Sequence, residues 1–344
     1  MNNANNKLML ENLKTPVKGL IPALFPEDLL YKPDFDANSW WAGGLFETNG
    51  EQLTYVFHLM TVKVPNMGIV FSYRLTFSNV TTGWYYDSGE VACPLSEIKL
   101  SEAEFNIEVP NGYIRGNFDH MEIKMRGEKA SVDVVMKAMG YPLYNGGDGT
   151  FGWQGSLCHQ LSIPNMATTG SLVLEGKTYQ ISGKSWFDRQ WQMNNPSSLM
   201  SLKWVWMCFE LSNKDIISVW TNASGDVENS WATIMHPDGT QTVTYANPLS
   251  KGIKEYWRSE ASGNCYPVRW NVELPDLDSQ FDVVTYPINQ EMYSKMQIPG
   301  SCYEGISTVK GTYKGQPVSG HTFVEIIGKW EEACLENNAI EKKL

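Results

Sequence analysis

The 344-residue sequence has no apolar run near the roughly 18 residues that a membrane-spanning helix needs. Its start, Asn-rich from Met1 to Pro16, has no hydrophobic core of the kind an export signal carries. The expectation is a soluble, cytoplasmic protein without a membrane span. Basic residues are scarce too: 27 Lys and Arg stand against 38 Asp and Glu, a net charge of −11, and no stretch concentrates them. Phosphate backbones are bound by clustered cations, so nucleic acid is not expected as a partner. The six cysteines (Cys93, Cys158, Cys208, Cys265, Cys302 and Cys334) form no C-x-x-C pair and have no His at zinc spacing. Reduced, mostly buried thiols are expected, with no metal site.

The signatures of several large enzyme classes are missing as well. No G-x-G-x-x-G opens a helix, and there is no G-x-x-x-x-G-K-[ST], no G-x-S-x-G and no H-E-x-x-H. Gly146-Gly147-Asp148-Gly149 is glycine-rich but lacks the lysine and the strand-to-helix setting of a phosphate cradle, so it reads as a loop. No cofactor is expected.

Aromatic residues make up 12% of the chain, and Trp is as frequent as Phe at 13 each, which points to an aromatic-lined cavity as much as to a dense core. Helix signals are few; a short helix is expected near Tyr245 to Lys254 and another at the C-terminus, from about Gly328 to Lys343. Elsewhere short runs of β-branched and aromatic residues alternate with turn signals at Asn49-Gly50, Asn111-Gly112, Glu175-Gly176, Asp238-Gly239 and Lys314-Gly315. This is the pattern of an all-β, antiparallel sandwich or barrel.

A repeat refines that reading. Ile181-Ser182-Gly183-Lys184-Ser185-Trp186-Phe187-Asp188 parallels Val318-Ser319-Gly320-His321-Thr322-Phe323-Val324-Glu325, each after a glycine turn. A weaker echo joins Phe46-Glu47 to Phe209-Glu210, each downstream of tryptophans (Trp40 and Trp41; Trp204 and Trp206). Two echoes in the same order predict two related β modules in tandem, residues 1–195 and 196–344.

The repeat also marks the chemistry. In Trp186-Phe187-Asp188-Arg189-Gln190-Trp191 a carboxylate lies between indoles, and on a strand Trp186, Asp188 and Gln190 share one face while Phe187, Arg189 and Trp191 share the other. Desolvation beside indoles would favour the protonated carboxyl, a proton donor near neutral pH; the alternative is an ionised partner of a nearby Arg or the anchor of a turn. Glu325 is the counterpart of Asp188, and Glu47 and Glu210 are expected at matching first-strand positions. Packed face to face, such modules would oppose carboxylates as acid and base, although Glu325 reads more readily as structural. His58, on an apolar strand, is either a core histidine or a pocket base.

Three segments resemble the lipocalin-like family that contains carotenoid 1,2-hydratases, kievitone hydratase, the AttH-type bacterial proteins and the fungal decalin-forming Diels–Alderases. They are Trp40-Trp41-Ala42-Gly43-Gly44-Leu45 with the hairpin after it, Ile163 to Gly170 with Gly183 to Trp191, and Tyr303-Glu304-Gly305 with Gly320 to Gly328. The resemblance implies two lipocalin-like modules and places Asp188 where the carotenoid hydratases resemble it with their alkene-protonating residue. Those enzymes tend to have Asp-His-Asn where this chain has Asp188-Arg189-Gln190. The resulting expectation is a cofactor-independent lyase or isomerase of natural-product metabolism that acts on a small hydrophobic, unsaturated substrate, with Asp188 catalytic. Trp41, His58, Trp186, Trp191, Trp204, Trp206 and Glu325 are expected to contact substrate. A pericyclase and a non-catalytic hydrophobic-ligand carrier are the alternatives.

Overall fold

The structure is a computed structural model that describes residues 27–328 except 65, 67, 154, 195–202, 225, 226 and 296–299. Its first sheet contains β1 (Ala37–Thr48), β2 (Glu51–Val64), β3 (Gly68–Asn79), β4 (Trp84–Asp87), β5 (Val91–Pro94), β6 (Lys99–Leu100), β7 (Phe105–Val109), β8 (Gly112–Gly116), β9 (Met121–Arg126), β10 (Ala130–Ala138), β11 (Leu143–Tyr144), β12 (Thr150–Trp153), β13 (Ser156–Leu174) and β14 (Lys177–Gln192). The second contains β15 (Lys203–Leu211), β16 (Ile216–Ser224), β17 (Val227–Met235), β18 (Gln241–Tyr245), β19 (Ile253–Arg258), β20 (Cys265–Leu274), β21 (Ser279–Thr285), β22 (Glu291–Met292), β23 (Cys302–Tyr313) and β24 (Gln316–Ile327). The chain divides into two compact units, Met1–Asn194 with Met235–Thr242, and Asn195–Ile234 with Val243–Leu344.

The two sheets share one path. The first runs β4-β3-β2-β1-β14-β13-β10-β9-β8-β7-β6, and the second β18-β17-β16-β15-β24-β23-β21-β20-β19. In each, the first strand pairs with the last and the antiparallel sheet curls into a half-barrel, the lipocalin-like all-β fold that the sequence predicts. All five glycine turns join strands. At Asn49-Gly50, Glu175-Gly176 and Lys314-Gly315 both residues have positive φ, the backbone that suits the twist of a two-residue hairpin.

Alternation then sorts side chains between faces. Tyr55, Phe57, Leu59, Tyr73, Leu75, Ile163 and Phe187 belong to the core of the first half-barrel. Val205, Met207, Phe209, Val219, Trp270, Tyr303, Val324 and Ile326 belong to that of the second. Each such side chain contributes about 1.5–3 kcal/mol when fully buried.

Three expectations need correction or placing. Near Tyr245 there is no α-helix: β18 runs to Tyr245 and β19 starts at Ile253, leaving room after Pro248 for only a 3-10 turn, Leu249–Gly252. The C-terminal helix falls, apart from Gly328, outside the described residues. Cys93, Cys158, Cys208 and Cys302 are free and buried, but Cys265 is disulfide-bonded, so the expectation of reduced thiols does not hold for it.

Candidate active site

Behind its apolar core face, the first sheet carries a second face that is polar and also buried. Antiparallel register places Arg74 opposite His58, His58 opposite Trp41, Trp41 opposite Asp188, and Asp188 opposite Ser162. Directly opposed residues point the same way, so these five side chains form one row across β3, β2, β1, β14 and β13. All five are nine-tenths or more buried. None belongs to the core cluster. Gly43 explains how Trp41 fits: a Cβ there would lie 2.6 Å from the Trp41 ring, so only glycine lets the indole lie along its own strand, and the register sets Trp186 opposite that glycine.

Hydrogen bonds fix the row. The Ser162 hydroxyl donates to Asp188 Oδ1, and Asn145 Nδ2 donates to Ser162 Oγ at 3.0 Å. His58 Nε2 meets Ser39 Oγ at 2.9 Å, and Arg74 forms a buried 2.9 Å ion pair with Glu90. The result is a desolvated carboxyl group held by a hydroxyl relay, with an indole beside it and an imidazole one strand further on. Such a group can donate or accept a proton at a carbon that cannot be reached by bulk water.

Arg189 and Trp191 lie on the opposite face. The Arg189 guanidinium sits 4.3 Å from the Trp40 ring and 5.0 Å from that of Trp191, and donates to Leu30 O at 2.6 Å and Asn38 Oδ1 at 2.7 Å. Burial pulls its pKa down to about 9, opposed by Asp28, so it stays charged at neutral pH. Its role is to fasten the segment before β1 to β14. Trp191 stacks on His159, with ring centroids 5.4 Å apart.

The second sheet has a matching row. Trp206 lies opposite both Trp220 and Glu325, and Glu325 lies opposite Glu304. Trp204 Nε1 donates to Glu325 Oε1 at 2.6 Å, Trp206 Nε1 donates to Ser218 Oγ at 2.9 Å, and Trp220 stacks on Trp231 at 6.2 Å. The register thus equates Asp188 with Glu325 and Trp41 with Trp206. It overturns the equation of Glu47 with Glu210. Trp41 and Asp188 align with Trp206 and Glu325, which puts Phe46 level with Leu211, two residues off the echo. The cause is the shorter β15–β16 hairpin, in which Glu210 already pairs with Ile216. Glu47 is exposed, whereas Glu210 is half-buried, 3.8 Å from His321.

Comparison with known proteins agrees with this architecture. A family model described as AttH-like matches residues 16–329. The chain belongs to the AttH-like family. Among curated proteins, this AttH-like chain is 26% identical to the dehydratase asqC of Emericella nidulans, over 89% of each chain. It is 24% identical to the kievitone hydratase of Fusarium solani subsp. phaseoli, over 93% of this chain and 91% of that one. Among solved structures it is similar to a putative AttH from Nitrosomonas europaea, with a TM-score of 0.77 at 17% identity, covering 91% of this chain and 98% of that one. It is also similar to CghA crystallised with Sch210972, with a TM-score of 0.59 at 11% identity, covering 92% and 96%. Relatives that add or remove water, on the one hand, and a shared fold, on the other, set the frame for this AttH-like chain.

Of the side chains singled out from the sequence, the structure brings Trp41, His58, Trp186 and Asp188 to one face of the first sheet, and Trp204, Trp206 and Glu325 to one face of the second. Trp191 stands on the other face from Asp188. Sequence reasoning missed Ser162, Asn145, Ser39 and the Arg74–Glu90 pair. For Ser162 the signal misleads: counting back from the Leu174–Lys177 pair would set Ile163 against Asp188. A bulge between Ile163 and Met166, with Asn165 at φ 54°, moves Ser162 there instead.

Proposed function

We propose that this chain adds water to, or removes it from, a carbon–carbon double bond of a small, apolar, unsaturated molecule, with Asp188 transferring the proton and no cofactor taking part. The observation that carries this reading is the buried carboxyl group of Asp188, oriented by Ser162 and flanked by Trp41 in a row that otherwise holds His58 and Arg74. In hydration, the Asp188 carboxyl gives its proton to one alkene carbon, and the π pair becomes the new C–H bond. Cationic charge appears at the neighbouring carbon, where the indole faces of Trp41 and Trp186 favour it. Water then bonds to that carbon through oxygen and returns a proton to the Asp188 carboxylate. Dehydration runs the same steps backwards. The hydratase and dehydratase relatives support water chemistry of this type. Ser162 acts as a positioning residue, holding the carboxyl at the angle from which the proton leaves. Trp191, Trp204, Trp206 and Glu325 are assigned no step.

Incubation with a panel of prenylated isoflavonoids, kievitone first, followed by mass spectrometry in ordinary and heavy-oxygen water, tests the reading. The expected product gains one water, labelled when the solvent is, and Asp188→Asn lowers the rate by at least about 100-fold. Conversion at unchanged mass, with Asp188→Asn still active, would replace it with a cyclase that acts by holding a reactive conformer.

A further inference from the structure

The first half-barrel holds a cavity of about 410 Å³ that belongs to neither row. It lies on the core side of the first sheet, where Tyr73 on β3 pairs with Val91 on β5, and where Leu75 and Met125 complete an apolar wall. The edge strand β4 is tied down beside it: the Tyr86 hydroxyl accepts from the backbone N–H groups of Glu128 and Lys129, in the β9–β10 turn, at 3.1 and 3.3 Å. This latch makes the mouth a built structure and not a gap between loose strands.

One polar group inside finds nothing to bond among the described residues. The Tyr73 side chain is 3% exposed, and its hydroxyl has no hydrogen-bond partner among them. Burial raises its pKa to about 12, aided by Cys93; the Asn111 backbone opposes that rise without meeting the hydroxyl in hydrogen-bond geometry. A buried donor left unmet is costly, and an acceptor oxygen on a guest would relieve that cost. At the rim, Arg126 and Glu128 are both exposed and carry opposite charges, so the mouth has no net preference for an ion.

From these features we infer that the first half-barrel contains a second small-molecule site, which takes a neutral, part-apolar molecule bearing a carbonyl or ether oxygen, to which the Tyr73 hydroxyl donates a hydrogen bond. The volume falls in the range of small-molecule pockets, and the lining is mixed: Leu75, Val91 and Met125 supply apolar surface, and Ser88, Asn111, Arg126 and Glu128 supply polar groups around the Tyr73 hydroxyl. The site is separate from Asp188: Tyr73 and Arg74 are neighbours in sequence but face opposite sides of β3. It stands or falls independently of the water chemistry proposed above.

Titration with the neutral naphthyl ketone dye prodan, whose emission moves to the blue in apolar surroundings, tests the site in the full chain. The expected result is saturable binding by the wild type that disappears in Val91→Trp, which plugs the mouth from a half-buried edge position. Tyr73→Phe should weaken binding about fivefold, the worth of one hydrogen bond. Asp188→Asn should leave the titration unchanged. Since Val91→Trp could disturb folding, the methyl resonance of Met125, assigned through Met125→Leu, supplies a second readout in the wild type: it should shift as prodan saturates. No saturable binding, or binding that leaves the Met125 methyl unmoved, would overturn the site. Unchanged affinity in Tyr73→Phe would overturn the role given to the hydroxyl.

Discussion

The two sheets place an acidic residue at the same register position and surround it differently. In the first, Asp188 stands between Trp41 and Ser162, and its oxygen is met by a small hydroxyl that is itself held by Asn145. In the second, Glu325 stands between Trp206 and Glu304, and its oxygen is met by the Trp204 indole. His58 holds in one row the register position that Trp220 holds in the other. Imidazoles titrate near neutral pH and hydroxyls both donate and accept hydrogen bonds, whereas indole N–H groups only donate them. Equal positions in a duplicated fold therefore do not imply equal chemistry. On the proposed reading the first row passes a proton, whereas the second sets indoles around the paired carboxyl groups of Glu304 and Glu325.

The largest expected effect separates the rows outright. Asp188→Asn should cost at least about 100-fold in kcat with little change in KM, while Glu325→Gln, which still accepts from Trp204, should stay within about threefold. Next comes the fold beneath the first row: Arg189→Met takes the guanidinium from the Leu30 oxygen and leaves Asn38 Oδ1 with the Lys32 backbone N–H alone, and should lower unfolding free energy by about 2–4 kcal/mol in a denaturant titration. Ser162→Ala should reduce kcat about tenfold while the KM holds, and Ser162→Thr, which keeps the hydroxyl, should recover part of the loss. Trp206→Phe should cost about twofold or less in kcat.

The smallest effect concerns pH. Burial, the dominant influence, holds His159 below its usual pKa of about 6.5, with Asp28 and Asp148 opposing. The unfolded chain therefore takes up this proton first as pH falls. The stability that comes from keeping His159 neutral is complete above the unfolded pKa and is lost as pH falls through the folded one. Between about pH 7.5 and about pH 5, the Tm of the wild type should drop slightly further than that of His159→Gln.

Much of the fold was legible because hairpin turns state their register locally. Asn49-Gly50 pairs Thr48 with Glu51, and counting from there sets Trp41 against His58 without error. The repeated Gly183 to Asp188 and Gly320 to Glu325 segments likewise match in register. Alternation alone assigns Asp188 and Trp186 to one face and Trp191 to the other, so the resemblance that grouped Trp191 with them carried less information than the strand period. Where the count failed, a bulge intervened: Asn165 at positive φ inserts a residue, and a one-residue slip exchanges Ile163 for Ser162 opposite Asp188. The same count gives Ser39, two residues before Trp41, as the diagonal neighbour of His58, a signal that was there to be used. The partner of Arg74 was not legible: Glu90 reaches it from the segment between β4 and β5, and nothing in local spacing encodes that.

The central claim is that Asp188 delivers the proton, and the product formed in deuterated water reports it most directly. A carboxyl fixed on one side of the substrate should place a single deuterium at the protonated carbon in one configuration, detectable by NMR of the isolated product. The account predicts that label from the wild type and from Glu325→Gln, and none from Asp188→Asn. The same stereospecific label from Asp188→Asn at a near wild-type rate, or its loss in Glu325→Gln alone, would contradict it.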